Sequence, residues 1–580
     1  MKRHAMPLLL GSTLLSAAAL AEPGGFFDMG ADDQPTQVLV DFTEVDAQGL
    51  SELAKSMGVN LRFNSEFSDA DENFAVVEAD SPGMVQRLIS LFQGRADVES
   101  VEPNYVYHGL FTPDDPMLKH QWHMDMIHMA DAWAKARGRG VVVAVIDTGV
   151  SDGKGKLKPV EDLDPDRFVP GYNFVSDSPD ASDDHAHGTH VAGTVAQSTD
   201  NGKGVAGVAF EARIMPIKVL SARGGGTVSD IAEGIRWAVR HGADVINMSL
   251  GGPFPSLALA RAVAYARSHG VVVVCAAGNS GRKGVGYPAA HSGSIAVSAL
   301  GPDKTLSFYS SWGKQVAIAA PGGDTRVDLN NDGIPDGVLQ NTIVPGDPSR
   351  QGYFPFQGTS MASPHVAGVA ALIIGQGITS PDKVQDILEG SAESLGDGEK
   401  YGAGMVDAAA AVSRAIWRPG LLRALLMVIL AWLLARIIRT SDRMSSSVVT
   451  PGFVLALVVG ACGLFFLRGF ETTLWPLFVV TRPALEWPAA LLGWNWHLNA
   501  VVGSALPAFV VGLLLYGIKP LRPLAAGFAV GVSAYLLACA VDGSVNVRWV
   551  PGAGGLFDRA WLAGNALLTF GMARMMVPRR

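Results

Sequence analysis

The chain has 580 residues, 48% of them hydrophobic and 17% charged, and a formal charge of −9. That length allows several domains with large cores, and the acidic balance gives no reason to expect a nucleic-acid partner. The average hides a split: from Pro419 onward 13 Lys/Arg face 5 Asp/Glu, a balance of +8 that leaves −17 upstream. Cys275 is alone in the acidic part and Cys462 and Cys539 lie in the basic, hydrophobic part, so no disulfide can form within the acidic part of one chain.

Residues 1–21 hold Lys2 and Arg3, an apolar stretch too short to span a bilayer, and Ala19-Leu20-Ala21 as a small-residue cleavage signal. A secretory signal peptide is expected there. Over 36–108, strands at Gln37–Phe42, Asn73–Glu78 and around Val98–Val106 alternate with helices at Leu50–Met57 and Met84–Phe92. This is a small α+β module of βαββαβ layout, ferredoxin-like in its order of elements.

Further along, Val141 to Ile146 reads as a buried strand that ends in Asp147-Thr148-Gly149. His187-Gly188-Thr189-His190 places an imidazole at a helix start, and the apolar strand Val271 to Ala276 runs through Ala277 into Gly278-Asn279-Ser280-Gly281. Strands at Ile214–Val219 and Val245–Met248 alternate with helical runs, which predicts a three-layer α/β domain with a parallel sheet covered on both faces. Asp147 and Asn279 then fall just past strand C-termini, where open parallel sheets place their sites.

Gly358-Thr359-Ser360-Met361-Ala362-Ser363-Pro364-His365 puts a serine where a turn tightened by Gly358 meets a helix, with Pro364 expected in the first helical turn. A serine needs a base, an orienting carboxylate and oxyanion donors to act as a nucleophile. Asp147, His187, Asn279 and Ser360, in that order and in those contexts, resemble the subtilisin family of serine endopeptidases over about 113–417.

The resemblance implies that Ser360 attacks the peptide carbonyl, His187 transfers the proton, Asp147 orients the imidazole, and the Asn279 amide with the Ser360 N–H binds the oxyanion. It further implies substrate pairing along Ser249, Leu250 and Gly251 with Gly224, Gly225 and Gly226, and a pocket wall from Ala276, Ala277 and Gly278. No cofactor is needed for the chemistry. The 36–108 module looks like the family's inhibitory propeptide, with autocleavage between 107 and 116; an independent binding domain is the other reading. His185, His187 and His190 also fit an H-x-H-x-x-H zinc spacing, without the further Cys or carboxylates of a zinc enzyme. His190 and His365 are expected as packed helix residues, and Cys275 as a small buried hydrophobe.

Asp328, Asn330, Asp332, Ile334 and Asp336 alternate as in an EF-hand loop with Gly333 sixth, but Leu339 stands where the bidentate glutamate would be. A structural calcium is expected there.

From 420 to 574 the sequence reads as an all-α membrane domain of about five helices, at 421–438, 448–467, 498–518, 524–541 and 560–573. With the protease outside, Arg436, Arg439, Arg443, Lys519, Arg522, Arg574, Arg579 and Arg580 lie inside. Outer loops then hold Arg468, Arg482, Arg548 and Arg559, balanced by Glu471, Glu486, Asp542 and Asp558, with a Trp-rich outer segment from Trp475 to Trp496.

The expectation is a bacterial multi-pass membrane protein with its protease domain on the extracytoplasmic side. Its expected partners are polypeptide substrates, its own propeptide as inhibitor, the lipid bilayer and membrane proteins. The alternative is a transport or assembly protein with the protease as an accessory.

Overall fold

The computed structural model describes residues 37–43, 45–65, 68, 73–79, 82–104, 111–153, 160–440, 449–464, 477–492, 499–547, 550 and 555–577. The expected signal peptide and residues 107–110 of the expected autocleavage region lie outside these residues. The chain forms two compact units, divided after His108.

In the first unit, β1 (Gln37–Phe42), α1 (Ala47–Met57), β2 (Leu61–Phe63), β3 (Phe74–Glu78), α2 (Pro82–Phe92) and β4 (Val98–Pro103) follow in that order. The sheet is antiparallel with strand order β2-β3-β1-β4. Val38, Val40 and Phe42 alternate toward one face and meet Leu50, Val85, Leu88 and Phe92 of the helices, so one side of the sheet is dry.

The second unit is built on a seven-stranded parallel sheet. Its strands are β5 (Val142–Asp147), β6 (Tyr172–Asn173), β7 (Arg213–Lys218), β8 (Val245–Met248), β9 (Val272–Ala276), β10 (Ile295–Leu300) and β11 (Val316–Pro321). The order across the sheet is β11-β10-β9-β8-β5-β7-β6. Strand alternation sends Val143 and Val145 to one core and Ala144 and Ile146 to the other. The first core is closed by α3 (His187–Ala196) and by α6 (Thr359–Ile374), the second by α4 (Val228–Arg240) and α5 (Leu257–Ser268). The two cores make the three layers. An antiparallel pair, β12 (Val338–Val344) and β13 (Asp347–Phe356), precedes α6, and α7 (Pro381–Ser391) follows it.

The longer helices that follow are α8 (Ala408–Thr440), α9 (Pro451–Ala461), α10 (Leu506–Tyr516), α11 (Arg522–Asp542) and α12 (Leu556–Met576). α8 is one helix of 33 residues. It places Ala408, Ala411, Val412 and Ala415 in the first core of the parallel sheet and Leu430, Leu434 and Ile438 in the helical core, so the expected boundary near 418 falls inside a continuous helix.

The spans expected over 448–467 and 498–518 are helical in the described residues for only 11 residues each. That is about 16 Å at 1.5 Å per residue, against roughly 30 Å of hydrocarbon. Apolar composition carried that expectation, and the backbone decides otherwise. Thr450 caps Phe453 N at 3.2 Å to start α9, and Gly463 at φ +62 ends it where a Cβ would lie 2.3 Å from the Arg482 carbonyl. Conversely α12 runs 21 residues where a brief helix was expected. The segment expected as an outer loop buries Arg482 and Glu486 instead of exposing them. By length and composition, two helices among the described residues could cross a membrane, Ala408–Ile438 and Lys519–Asp542.

Candidate active site

Asp147 closes β5 and is fully buried, with its Oδ1 accepting from Thr148 N at 2.7 Å and paired with His187 Nδ1 at 2.7 Å. His187 is the first residue of α3, and Ala186 before it sits at φ +91, a strained conformation for a residue with a Cβ. Two contacts hold that turn: Ala186 N donates to Asp183 Oδ1 at 3.2 Å, and Thr342 Oγ1 of β12 donates to the Ala186 carbonyl at 2.6 Å.

Asp183, which the sequence reading passed over, organises the whole helix start. Its carboxylate accepts from His185 N, from Thr189 N and Oγ1, and from Thr148 Oγ1, all within 2.7–2.9 Å. The available signal was an acidic residue four positions ahead of the histidine, a helix-capping pattern. Burial of the His187 ring disfavours its charged form, but the Asp147 charge, the hydrogen bond to it and Asp183 together outweigh that and raise its pKa above the ordinary value.

Ser360 is the second residue of α6. Among the described residues its hydroxyl donates to the Ser249 carbonyl at 3.1 Å and not to His187. Pro364 lies in the second turn rather than the first, so the Ser360 carbonyl loses its regular i+4 donor. Ser249 Oγ supplies the missing hydrogen at 2.7 Å, and is itself held by Asn247 Nδ2 at 3.0 Å and Ser363 Oγ at 2.9 Å.

Asn279 Oδ1 accepts from both Thr359 N and Thr359 Oγ1 at 2.9 Å, which turns the amide NH₂ away from Thr359. Gly358 at φ +148 lets the chain pass that amide; a Cβ there would lie 3.4 Å from Asn279 Nδ2.

His187 opens on a cleft of about 390 Å³ lined by Gly224, Gly225, Gly226, Ser249, Leu250 and Gly251, with apolar sides from Val228, Ile231, Phe254 and Leu259. Ala276, Ala277 and Gly278 do not line it: the alanines are buried and Gly278 N donates to Thr359 Oγ1 at 3.1 Å.

The three histidines of the zinc-like spacing do not share a centre. His185 lines the cleft, while His190 stacks on Phe356 with Nε2 at 3.0 Å from the Val338 carbonyl. Burial pushes the His190 pKa down to about 3 and that of His365 to about 4, and it pushes the Cys275 thiol up to about 12.

The loop expected to bind calcium closes on itself. Asp328 accepts from Asp332 N and Gly333 N, Asp332 from Ile334 N, and Asp336 from Leu329 N, while the other Asp332 oxygen meets His120 at 2.7 Å. Asn330 Oδ1 accepts from Asp332 N at 3.2 Å. Among the described residues no group of three or more His, Cys, Asp or Glu is placed to hold a metal ion. The hydrogen bonds within the loop are those of Asx turns.

A parallel sheet with a buried carboxylate at one strand end, its imidazole partner at a helix start and a serine beginning the central helix defines a serine endopeptidase of the subtilisin type. The chain belongs to the subtilase family, whose profile matches residues 138–404. Subtilisin DY of Bacillus licheniformis is 42% identical over 280 residues, 47% of this chain and 92% of its own length. The extracellular protease of Xanthomonas campestris pv. campestris is 33% identical over 470 residues, covering 71% of this chain and 76% of its own. A solved protease structure from Pseudoalteromonas arctica is 38% identical with a TM-score of 0.48, covering 53% of this chain and 100% of that one. Residues 415–579 match a domain of unknown function, DUF5942.

Proposed function

We propose that this chain is a membrane-anchored serine endopeptidase that cleaves extracytoplasmic polypeptides and is matured by removal of its N-terminal unit. The observation that carries the catalytic reading is the 2.7 Å Asp147–His187 pair opening on a cleft that Ser249 also lines, with the Ser360 hydroxyl 3.1 Å from the Ser249 carbonyl. A rotation about the Ser360 Cα–Cβ bond moves its hydroxyl from the Ser249 carbonyl to His187 Nε2. Ser360 Oγ then bonds to the substrate carbonyl carbon as its proton passes to Nε2, and the oxyanion accepts hydrogen bonds from the Asn279 amide and the Ser360 N–H. The tetrahedral species collapses as His187 returns the proton to the leaving amine, and water, deprotonated by the same ring, releases the acyl group. An extended substrate pairs with Ser249–Gly251 and Gly224–Gly226, and the apolar sides of the cleft favour an apolar side chain between them.

Anchoring is supported by α8, where Leu421, Leu425, Val428 and Trp432 are exposed on one face at helical spacing. The position and α+β layout of the first unit support its reading as an inhibitory propeptide.

The test is the mass of the full-length chain in detergent, as wild type and as Ser360→Ala. Loss of the signal peptide and of about 90 further residues from the wild type, with only the signal peptide lost from the variant, is expected from a self-processing endopeptidase with a unit of the usual small-domain size. Equal masses would remove the autocleavage reading. Recovery of the protein in carbonate-washed membranes tests the anchor, and a soluble product would overturn it.

A further inference from the structure

The helix that carries Ser360 has a second end. α6 is 16 residues long, and every residue of it except Ser360 is buried. It is a rod of about 24 Å at 1.5 Å per residue. Its far end is closed by Gly375 N, Gln376 N and Gly377 N, which donate to the carbonyls of Ala371, Ile373 and Ile374 at 2.9, 3.0 and 2.8 Å, and it carries the negative pole of the helix dipole.

The C-terminal helical region occupies that end. Arg482 Nη1 donates to the Gly375 carbonyl at 3.0 Å. Arg482 Nη1 also lies 3.9 Å from Glu486 Oε2, and the fully buried Glu486 faces Arg423 Nη1 of α8 at 3.8 Å and accepts from the Tyr535 hydroxyl of α11 at 3.0 Å. The Arg423 guanidinium stacks 4.3 Å from the Tyr535 ring centre. Gly377, at φ +94, lets the chain pass this group; a Cβ there would lie 2.7 Å from Glu486 Oε1. Two residues on, the Ser544 carbonyl accepts from Thr379 N at 2.9 Å and Ser380 N at 3.2 Å, and Thr379 Oγ1 accepts from Asn546 N at 2.9 Å.

We propose that the C-terminal region is a positioning element of the protease: Arg482, oriented by Glu486, Arg423 and Tyr535, sets the axial position of the Ser360 helix through Gly375. The proposal rests on the assignment of Ser360 as nucleophile. Burying two guanidiniums with one carboxylate costs stability that well-packed apolar residues would not. What the charged set adds is direction, a donor aimed at one carbonyl. The helix is continuous from Thr359 to Ile374 although Pro364 removes one of its hydrogen bonds, so an axial shift at Gly375 is passed on to Ser360, and a misplacement of about 1 Å at a reacting atom can cost on the order of a hundredfold in rate.

The test uses the full-length protein in detergent. A fluorophosphonate labels Ser360 as Oγ bonds to phosphorus and fluoride leaves, and the titrated active fraction converts rates to a constant per active site. Arg482→Met is expected to lower that constant and kcat roughly 5- to 50-fold with KM changed less than about twofold, because substrate contacts are distant and only the alignment shifts. Arg482→Lys, which keeps a donor, is expected to recover part of the loss. Tyr535→Phe, a milder change should Arg482→Met fail to fold, is expected to lower the constant roughly two- to fivefold through the loss of one hydrogen bond to Glu486. Parent-like rate constants per active site in Arg482→Met or Tyr535→Phe, even with a lowered melting temperature, would overturn the proposal. A parent chain that is not labelled at Ser360 at all would instead remove the nucleophile assignment, and the proposal with it.

Discussion

Ser249 and Ser360 hold each other in opposite senses: Ser249 Oγ donates to the Ser360 carbonyl at 2.7 Å, and the Ser360 hydroxyl donates to the Ser249 carbonyl at 3.1 Å. The first contact replaces the amide hydrogen that Pro364 lacks. Ser249→Ala should therefore leave a buried carbonyl unpaired and cost roughly 1–3 kcal/mol of stability, with kcat reduced. Pro364→Ala restores an N–H four residues on, so the same Ser249→Ala change in that background should cost visibly less. Thermal unfolding of the four proteins closes the cycle, and equal costs in both backgrounds would show that the two groups do not substitute for each other.

The raised pKa of His187 places the acid limb of activity. His187 acts as a base when neutral, so kcat/KM should fall as pH drops through a midpoint above the ordinary value of about 6.5. The linkage has the opposite sign for stability: the folded chain holds this proton more tightly, so the stabilisation is full below the unfolded pKa and is lost as pH rises through the folded one. A pH–rate profile with its limb at or below the ordinary value would contradict the pairing with Asp147.

Thr359 fixes the direction of the Asn279 amide through two hydrogen bonds at 2.9 Å. Thr359→Val removes the hydroxyl bond and leaves the backbone one. The expected result is a kcat lowered roughly tenfold with KM nearly unchanged, since the amide serves the transition state and a loosened donor loses on the order of 1–1.5 kcal/mol. An equal rise in KM would place the effect in substrate binding.

The 328–336 loop holds its own carboxylates with backbone amides and His120. A millimolar chelator should therefore leave this loop's protease resistance unchanged, measured as the rate of proteolytic nicking within 328–336. Faster nicking with chelator, reversed by calcium, would restore the EF-hand reading of this segment.

What the sequence made legible is what short segments determine. Val143 to Asp147 and Val272 to Ala276 are strands because apolar runs of that length, bounded by glycine turns, bury both faces, and the residues just past them fall at the sheet's C-terminal edge. Ser249 as a donor to the Ser360 carbonyl that Pro364 leaves without its amide, and the Thr148 hydroxyl that donates to Asp183, depend on chain segments brought together from 111 and 35 residues away. No local pattern encodes those meetings. In the C-terminal region, hydropathy sees only apolar length. It missed that Gly463 ends a helix against the Arg482 backbone, and that Asp558 begins a long one, buried with an oxygen accepting from Val547 N at 3.1 Å.

The continuous helix α8 leaves no hinge of loop between the protease core and the apolar helices. At 33 residues it measures about 50 Å. In the proposed membrane setting this helix, bent at most at Pro419, would hold the cleft within a narrow range of heights above the lipid. An enzyme anchored in that way would work as a ruler, choosing the bond it cuts as much by its distance from the bilayer as by its sequence. A tethered substrate whose cleavable stretch is moved nearer or farther by a stiff spacer would be cut at a constant height.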